Sequence, residues 1–162
     1  MSGAIFRDKL PTFGAVIISL NMGKVHFFTE DTAYRLHQKI AVRQWIQAAI
    51  REEGYKPGEI SIILCSDAQL LDINKQYLQH DTYTDIVTFD NSEQAEMIAG
   101  DIFISIDRVR ENAAAFGVTE KDELHRVMIH GILHLCGYGD KGKQEKTRMT
   151  EKEDFYLARR GF

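Results

Sequence analysis

One segment limits the fold more than any other. From Leu124 to Cys136 the chain reads Leu-His-Arg-Val-Met-Ile-His-Gly-Ile-Leu-His-Leu-Cys. On a helix, Leu124, Val127, Met128 and Leu135 fall on one face, and Ile129, Ile132, Leu133 and Cys136 on another. A helix apolar over so much of its girth is buried and needs neighbours on more than one side. Its start is written upstream, where Thr119 precedes Asp122 by three residues. At that spacing a hydroxyl and a carboxylate can reciprocally satisfy free amides of the first turn. Gly137 is placed to stop it.

The cover for this helix is legible in the rest of the chain. Short apolar runs at Val25–Phe28, Ile60–Cys65, Asp85–Phe89 and Ile102–Ile106 predict strands. The last is apolar on both faces, which predicts a central position in the sheet. Helices are expected over Ala33–Glu53, from a cap at Ser66 or Asp67 to Leu78, over Arg108–Phe116 and over Lys143–Arg160. In the first of these, Val42, Trp45, Ile46, Ala49 and Ile50 share one face. The expectation is an α+β fold: one compact domain, a mixed sheet of about four strands packed with about five helices, and a site at the end of the buried helix. With 162 residues, 44% of them hydrophobic, one core is enough. Residues 1–21 fit this scheme poorly and are expected to be an edge strand or an extension, with the domain over 22–162.

Other features narrow the class. Formal net charge is −4, which gives no general attraction to nucleic acid, so any such contact must be local. Cys65 and Cys136 lie apart in apolar runs, as buried free thiols of a reducing compartment do. No apolar run is long enough to span a membrane, and Gly14–Leu20 makes a poor signal peptide, so the expected location is cytoplasmic and no membrane partner is expected.

The chemistry is carried by His130-Gly131-Ile132-Leu133-His134-Leu135-Cys136-Gly137-Tyr138-Gly139-Asp140. Histidines four apart on a helix project from one face, one turn apart, and can share a metal ion. A turn at Gly137 can return Asp140 to the same ion as a third ligand. Three protein ligands leave a position for water, so no side chain is assigned the catalytic role. The spacing also occurs in metal peptidases, but those need a Glu after the first His. Gly131 stands there, which argues against that chemistry and is expected to let substrate or backbone approach between the rings.

This segment resembles the His-Gly-x-Leu-His-Leu-x-Gly-Tyr-Asp-His motif of the YbeY family, bacterial endoribonucleases and ribosomal RNA maturation factors. Asn74-Lys75-Gln76-Tyr77, Asp81-Thr82-Tyr83-Thr84-Asp85-Ile86-Val87-Thr88-Phe89 and Gly100-Asp101-Ile102 resemble further family segments in order and spacing. The resemblance implies one zinc ion, or another divalent transition metal, held by three residues. It implies cleavage of single-stranded ribosomal RNA in small-subunit maturation and ribosome quality control, with the ribosome or its small subunit as partner. Two departures stand out. Asp140 occupies the place of the family's third His, which widens metal choice. Leu78 occupies the place of an Arg, so a phosphate-holding cation must come from elsewhere. His80, Lys141 and Lys143 are the candidates for RNA contact. Asp81, Thr84 and Asp101 are expected to be structural, and the basic cluster around Lys146 and Arg148 to be a solvated face. Two rival readings are a ribosome-assembly factor with a structural metal and a metal-dependent hydrolase of a small molecule.

Overall fold

The computed structural model describes residues 4–6 and 23–162. The elements run β1 (Ala4–Phe6), β2 (Val25–Thr29), α1 (Lys39–Glu52), β3 (Lys56–Cys65), α2 (Asp67–Leu78), β4 (Ile86–Asp90), β5 (Met97–Ser105), α3 (Ile106–Phe116), α4 (Glu120–Leu135) and α5 (Gly142–Ala158). The four strands expected from sequence join β1 in one sheet, ordered β1-β4-β5-β3-β2. β5 is central, antiparallel to β4 and parallel to β3. β1 is an edge strand parallel to β4. The rest of the 1–21 segment, including the Gly14–Leu20 run, lies outside the described residues.

Side-chain alternation divides the sheet between two cores. Ile62, Leu64, Ile86, Ile102 and Ile104 pack with residues of α1, α4 and α5 on one face. Ile63, Cys65, Val87, Phe89 and Phe103 pack with α2 on the other. The girth of α4 is apolar because it lies inside the first core. Leu124, Val127, Met128, Ile129, Ile132 and Leu133 are each 1% exposed or less. Each such side chain contributes about 1.5–3 kcal/mol of transfer free energy. Thr119 caps α4 as expected, accepting from the Asp122 amide at 3.0 Å. Ser66 likewise caps α2, accepting from the Gln69 amide.

Gly131 shows why α4 can lie so close to the sheet. A Cβ there would come 2.9 Å from Ile86 Cδ1 and 3.0 Å from Ile102 Cγ2. The close approach it permits is therefore helix against sheet, and not substrate or backbone between the histidine rings as the sequence suggests.

Two further expectations need correction, and Leu78 finds its place. α1 begins at Lys39, not Ala33, because Gln38 sits at φ 54 and offers no side-chain cap, so the preceding residues cannot join the helix. Ile106 opens α3 and does not end β5. Leu78 is 8% exposed in the second core beside Leu70 and Phe89, so it is a packing residue. No membrane-length apolar helix occurs among the described residues. Cys65 and Cys136 are buried free thiols, and burial with neighbouring carboxylates pushes both pKa values up to about 12.

Candidate metal centre

His130 and His134 lie in the last two turns of α4, and their rings meet nearly edge-on with centroids 4.4 Å apart. Gly137, at φ 98, turns the chain in a left-handed conformation that a side chain would strain. Three residues later Asp140 is folded back, 7% exposed, against both rings. Its Oδ2 is 3.5 Å from His130 Nε2 and 3.4 Å from His134 Nε2, and the two Nε2 atoms are 2.9 Å apart. Ligands about 2.0–2.1 Å from a tetrahedral zinc stand about 3.3–3.4 Å from one another. The triangle therefore has nearly the dimensions that one ion of this type requires.

The tautomers also suit a metal. His130 Nδ1 donates to Glu153 Oε1 at 2.6 Å, since an ionised carboxylate can only accept. His134 Nδ1 donates to the Tyr138 carbonyl at 2.8 Å. With both Nδ1 atoms so engaged, both Nε2 lone pairs aim at the space beside Asp140. Among the described residues, this is the group of three or more His, Cys, Asp or Glu side chains whose ligand atoms converge, and it has three members. A closed structural zinc site has four ligands, so three leave room for a reacting molecule.

The electrostatics follow from burial and two carboxylates. Burial opposes a charge on His130, but hydrogen bonds and attraction from Asp140 and Glu153 outweigh it and raise its pKa to about 9. Burial and the neighbouring His130 charge hold His134 below its ordinary value. Without a metal, the two carboxylates thus favour a proton on His130, the kind of positive charge that an ion at the same place would supply.

Three contributors were not singled out in the sequence. Glu153 is 4% exposed and shared between His130 and Arg126, whose Nη1 lies 2.9 Å from it. The available signal was spacing: Met149, Glu153 and Tyr156 are the buried residues of α5, so a glutamate stands in the helix's inward stripe. Asp85 is buried close enough to His130 to feel its charge, and burial raises its pKa. Glu53 accepts from Tyr138 Oη at 2.7 Å and from Lys152, which fixes the turn carrying Asp140.

The remaining sequence candidates are spread over the surface. His80 is exposed after α2, and Lys141 and Lys143 are exposed at the start of α5. Lys141 caps that helix with its backbone, donating to Glu145. Asp81 pairs with Lys75, Thr84 Oγ1 donates to the Ile86 carbonyl, and Asp101 accepts from Asn91.

The sequence profile described as Endoribonuclease YbeY matches residues 25–161, which includes the whole centre. The chain belongs to the YbeY family. It is 52% identical over 138 residues to a YbeY endoribonuclease of Cytophaga hutchinsonii, covering 85% of this chain and 96% of that one. It is 51% identical over 136 residues to the YbeY endoribonuclease of Bacteroides thetaiotaomicron, covering 84% and 98%. The solution structure of a Thermotoga maritima protein, 27% identical, superposes with a TM-score of 0.59 over 82% of this chain and 86% of that one. The Leu78 and Asp140 departures thus sit within a chain of the YbeY family.

Proposed function

We propose that this chain is a metal-dependent endoribonuclease for single-stranded RNA, with one zinc-type ion held by His130, His134 and Asp140. The observation that carries this reading is the convergence of three donor atoms 2.9–3.5 Å apart, with both histidine Nδ1 atoms engaged behind them. A divalent ion supplies Lewis acidity, activating water near neutral pH and drawing charge from phosphate oxygens. The protein's part is placement. Glu153 orients His130, the Tyr138 carbonyl orients His134, and the Glu53–Tyr138 bond steadies the turn that presents Asp140. With three ligands the centre favours catalysis over a purely structural metal.

The family relation supports a role in ribosomal RNA processing, small-subunit maturation and ribosome quality control, in the cytoplasm and with the ribosome or its small subunit as partner. Lys141 and Lys143, which follow Asp140 closely, and His80 on the α2–β4 loop are the proposed phosphate contacts. They supply local positive charge on a chain of net charge −4. The test is metal analysis of the purified protein together with cleavage of a single-stranded RNA, with and without a chelator. Stoichiometric metal and chelator-sensitive cleavage are expected. Cleavage that persists in metal-free protein would refute the mechanism.

A further inference from the structure

Among the large apolar or aromatic side chains that remain exposed, Tyr83 combines exposure with a fixed ring. It is 57% exposed, on the loop between α2 and β4. One face of its ring is covered by the Arg108 guanidinium, 4.9 Å from the centroid. Arg108 is itself clamped: its Nε lies 3.1 and 3.2 Å from the two Asp67 oxygens, and its Nη2 lies 3.0 Å from Oδ2. Glu111 takes a third edge at 3.1 Å. With two carboxylates on it, this guanidinium is poorly suited to hold a phosphate. It is well suited to hold a ring flat.

The loop around Tyr83 is pinned on both sides. Asn74 Nδ2 donates to the Thr82 carbonyl at 2.7 Å, and the Ser105 amide donates to the Asp85 carbonyl at 2.9 Å. Two residues beyond Tyr83 the chain enters the interior at Asp85, and the next residue, Ile86, packs against α4 at Gly131, directly after His130. The loop that carries the exposed ring therefore ends against the helix that carries His130 and His134. A preordered aromatic face on a loop anchored to the helix of a phosphodiester-cleaving centre suits an unstacked base, which only a single strand can offer.

We propose that Tyr83, backed by Arg108, is a base-stacking residue that positions single-stranded RNA at the His130–His134–Asp140 centre. This rests on the endoribonuclease reading above. It also supplies a substrate contact that the packing residue Leu78 cannot.

The test uses the full-length, zinc-loaded protein and a short fluorescein-labelled single-stranded oligoribonucleotide, in its natural form and with a single abasic nucleotide placed at each position in turn. Binding is read by anisotropy and cleavage by KM and kcat. Tyr83→Ala should raise KM and the dissociation constant roughly ten-fold, the loss of one base–aromatic stack, with kcat changed less than about two-fold. Tyr83→Phe, which keeps the ring, should restore both constants. One abasic position should weaken wild-type binding by a similar factor and add nothing in Tyr83→Ala. Unchanged constants in Tyr83→Ala, or abasic effects that add to it at every position, would overturn the inference while leaving the nuclease reading intact. Wild-type protein that binds RNA but does not cleave it would defeat the nuclease reading, and anisotropy would still decide the role of Tyr83. Wild-type protein that does not bind RNA would defeat both.

Discussion

Glu153→Ala tests whether the carboxylate on α5 is part of the centre or only part of the core. In the folded protein this side chain accepts a hydrogen bond from His130 Nδ1 at 2.6 Å and pairs with one arm of Arg126 at 2.9 Å. Removing it leaves the ring free to turn, and partners of this kind are worth about 10–100-fold in metal affinity, or about 1.4–2.8 kcal/mol. Arg126 keeps Asp154 at 2.6 Å and is 28% exposed, so the fold should lose only about 1–2 kcal/mol, less than a fully buried pair would cost. Proton competition partly masks the metal effect. With its pKa raised to about 9, His130 is charged at pH 7 in the metal-free protein, and the ion must displace that proton. Glu153→Ala also releases the proton more easily, so the affinity loss should be smaller at pH 7 than at pH 9. The assay is zinc competition against a chromophoric chelator at both pH values, with circular dichroism to check folding. Glu153→Gln, which can still accept from Nδ1, should fall between the two proteins. A folded Glu153→Ala with wild-type affinity at pH 9 would refute the reasoning.

The proposed role of Asp140 as third ligand can be tested by substitution at its own position. Asp140→Ala should lower zinc affinity at least roughly ten-fold, whereas Asp140→His should retain binding, because imidazole also fits a tetrahedral site. Metal content after dialysis checks both. The metal-free protein should lose stability as pH rises from 7 through 9. His130 is raised from 6.5 to about 9 on folding, so its protonation stabilises the fold fully below 6.5 and no longer above 9. Thermal melts in chelator should drop by roughly 2–4 °C per kcal/mol lost, and zinc-loaded melts should not follow. Gly131→Ala should destabilise by about 1 kcal/mol in urea unfolding. The new Cβ would press on Ile86 and Ile102 at 2.9–3.1 Å, and this overpacking outweighs the helix propensity gained.

The parts of this molecule that sequence exposes are those governed by local rules. Thr119 and the run after it define α4 because capping and periodicity act within a few residues. His130, His134, Gly137 and Asp140 are readable for the same reason: one helical turn and one tight turn bring them together. What sequence hides is contact between distant elements. Glu153 sits 23 residues from His130 in a helix rich in charged residues, and only its buried stripe sets it apart. The start of α1 is obscured because Gln38 ends the preceding chain by its backbone angle, with no capping side chain to announce it. The role of Gly131 depends on Ile86 and Ile102, which no pattern around residue 131 reveals.

The Glu153–His130 bond has a bearing on when the centre can form during synthesis. Both histidines and Asp140 precede α5 in the chain, so a growing polypeptide carries every proposed ligand before it carries the residue that bonds His130 from behind. Until α5 docks, that imidazole lacks its carboxylate and is free to choose either tautomer. Domains acquire structure as units while the chain emerges N-terminus first. On the proposed ligand set, a nascent chain stalled before Glu153 would hold its His-His-Asp group without the contact that orients His130. The centre would then be completed only when the last helix closes over the core, which would keep an unfinished copy of the protein from cutting RNA.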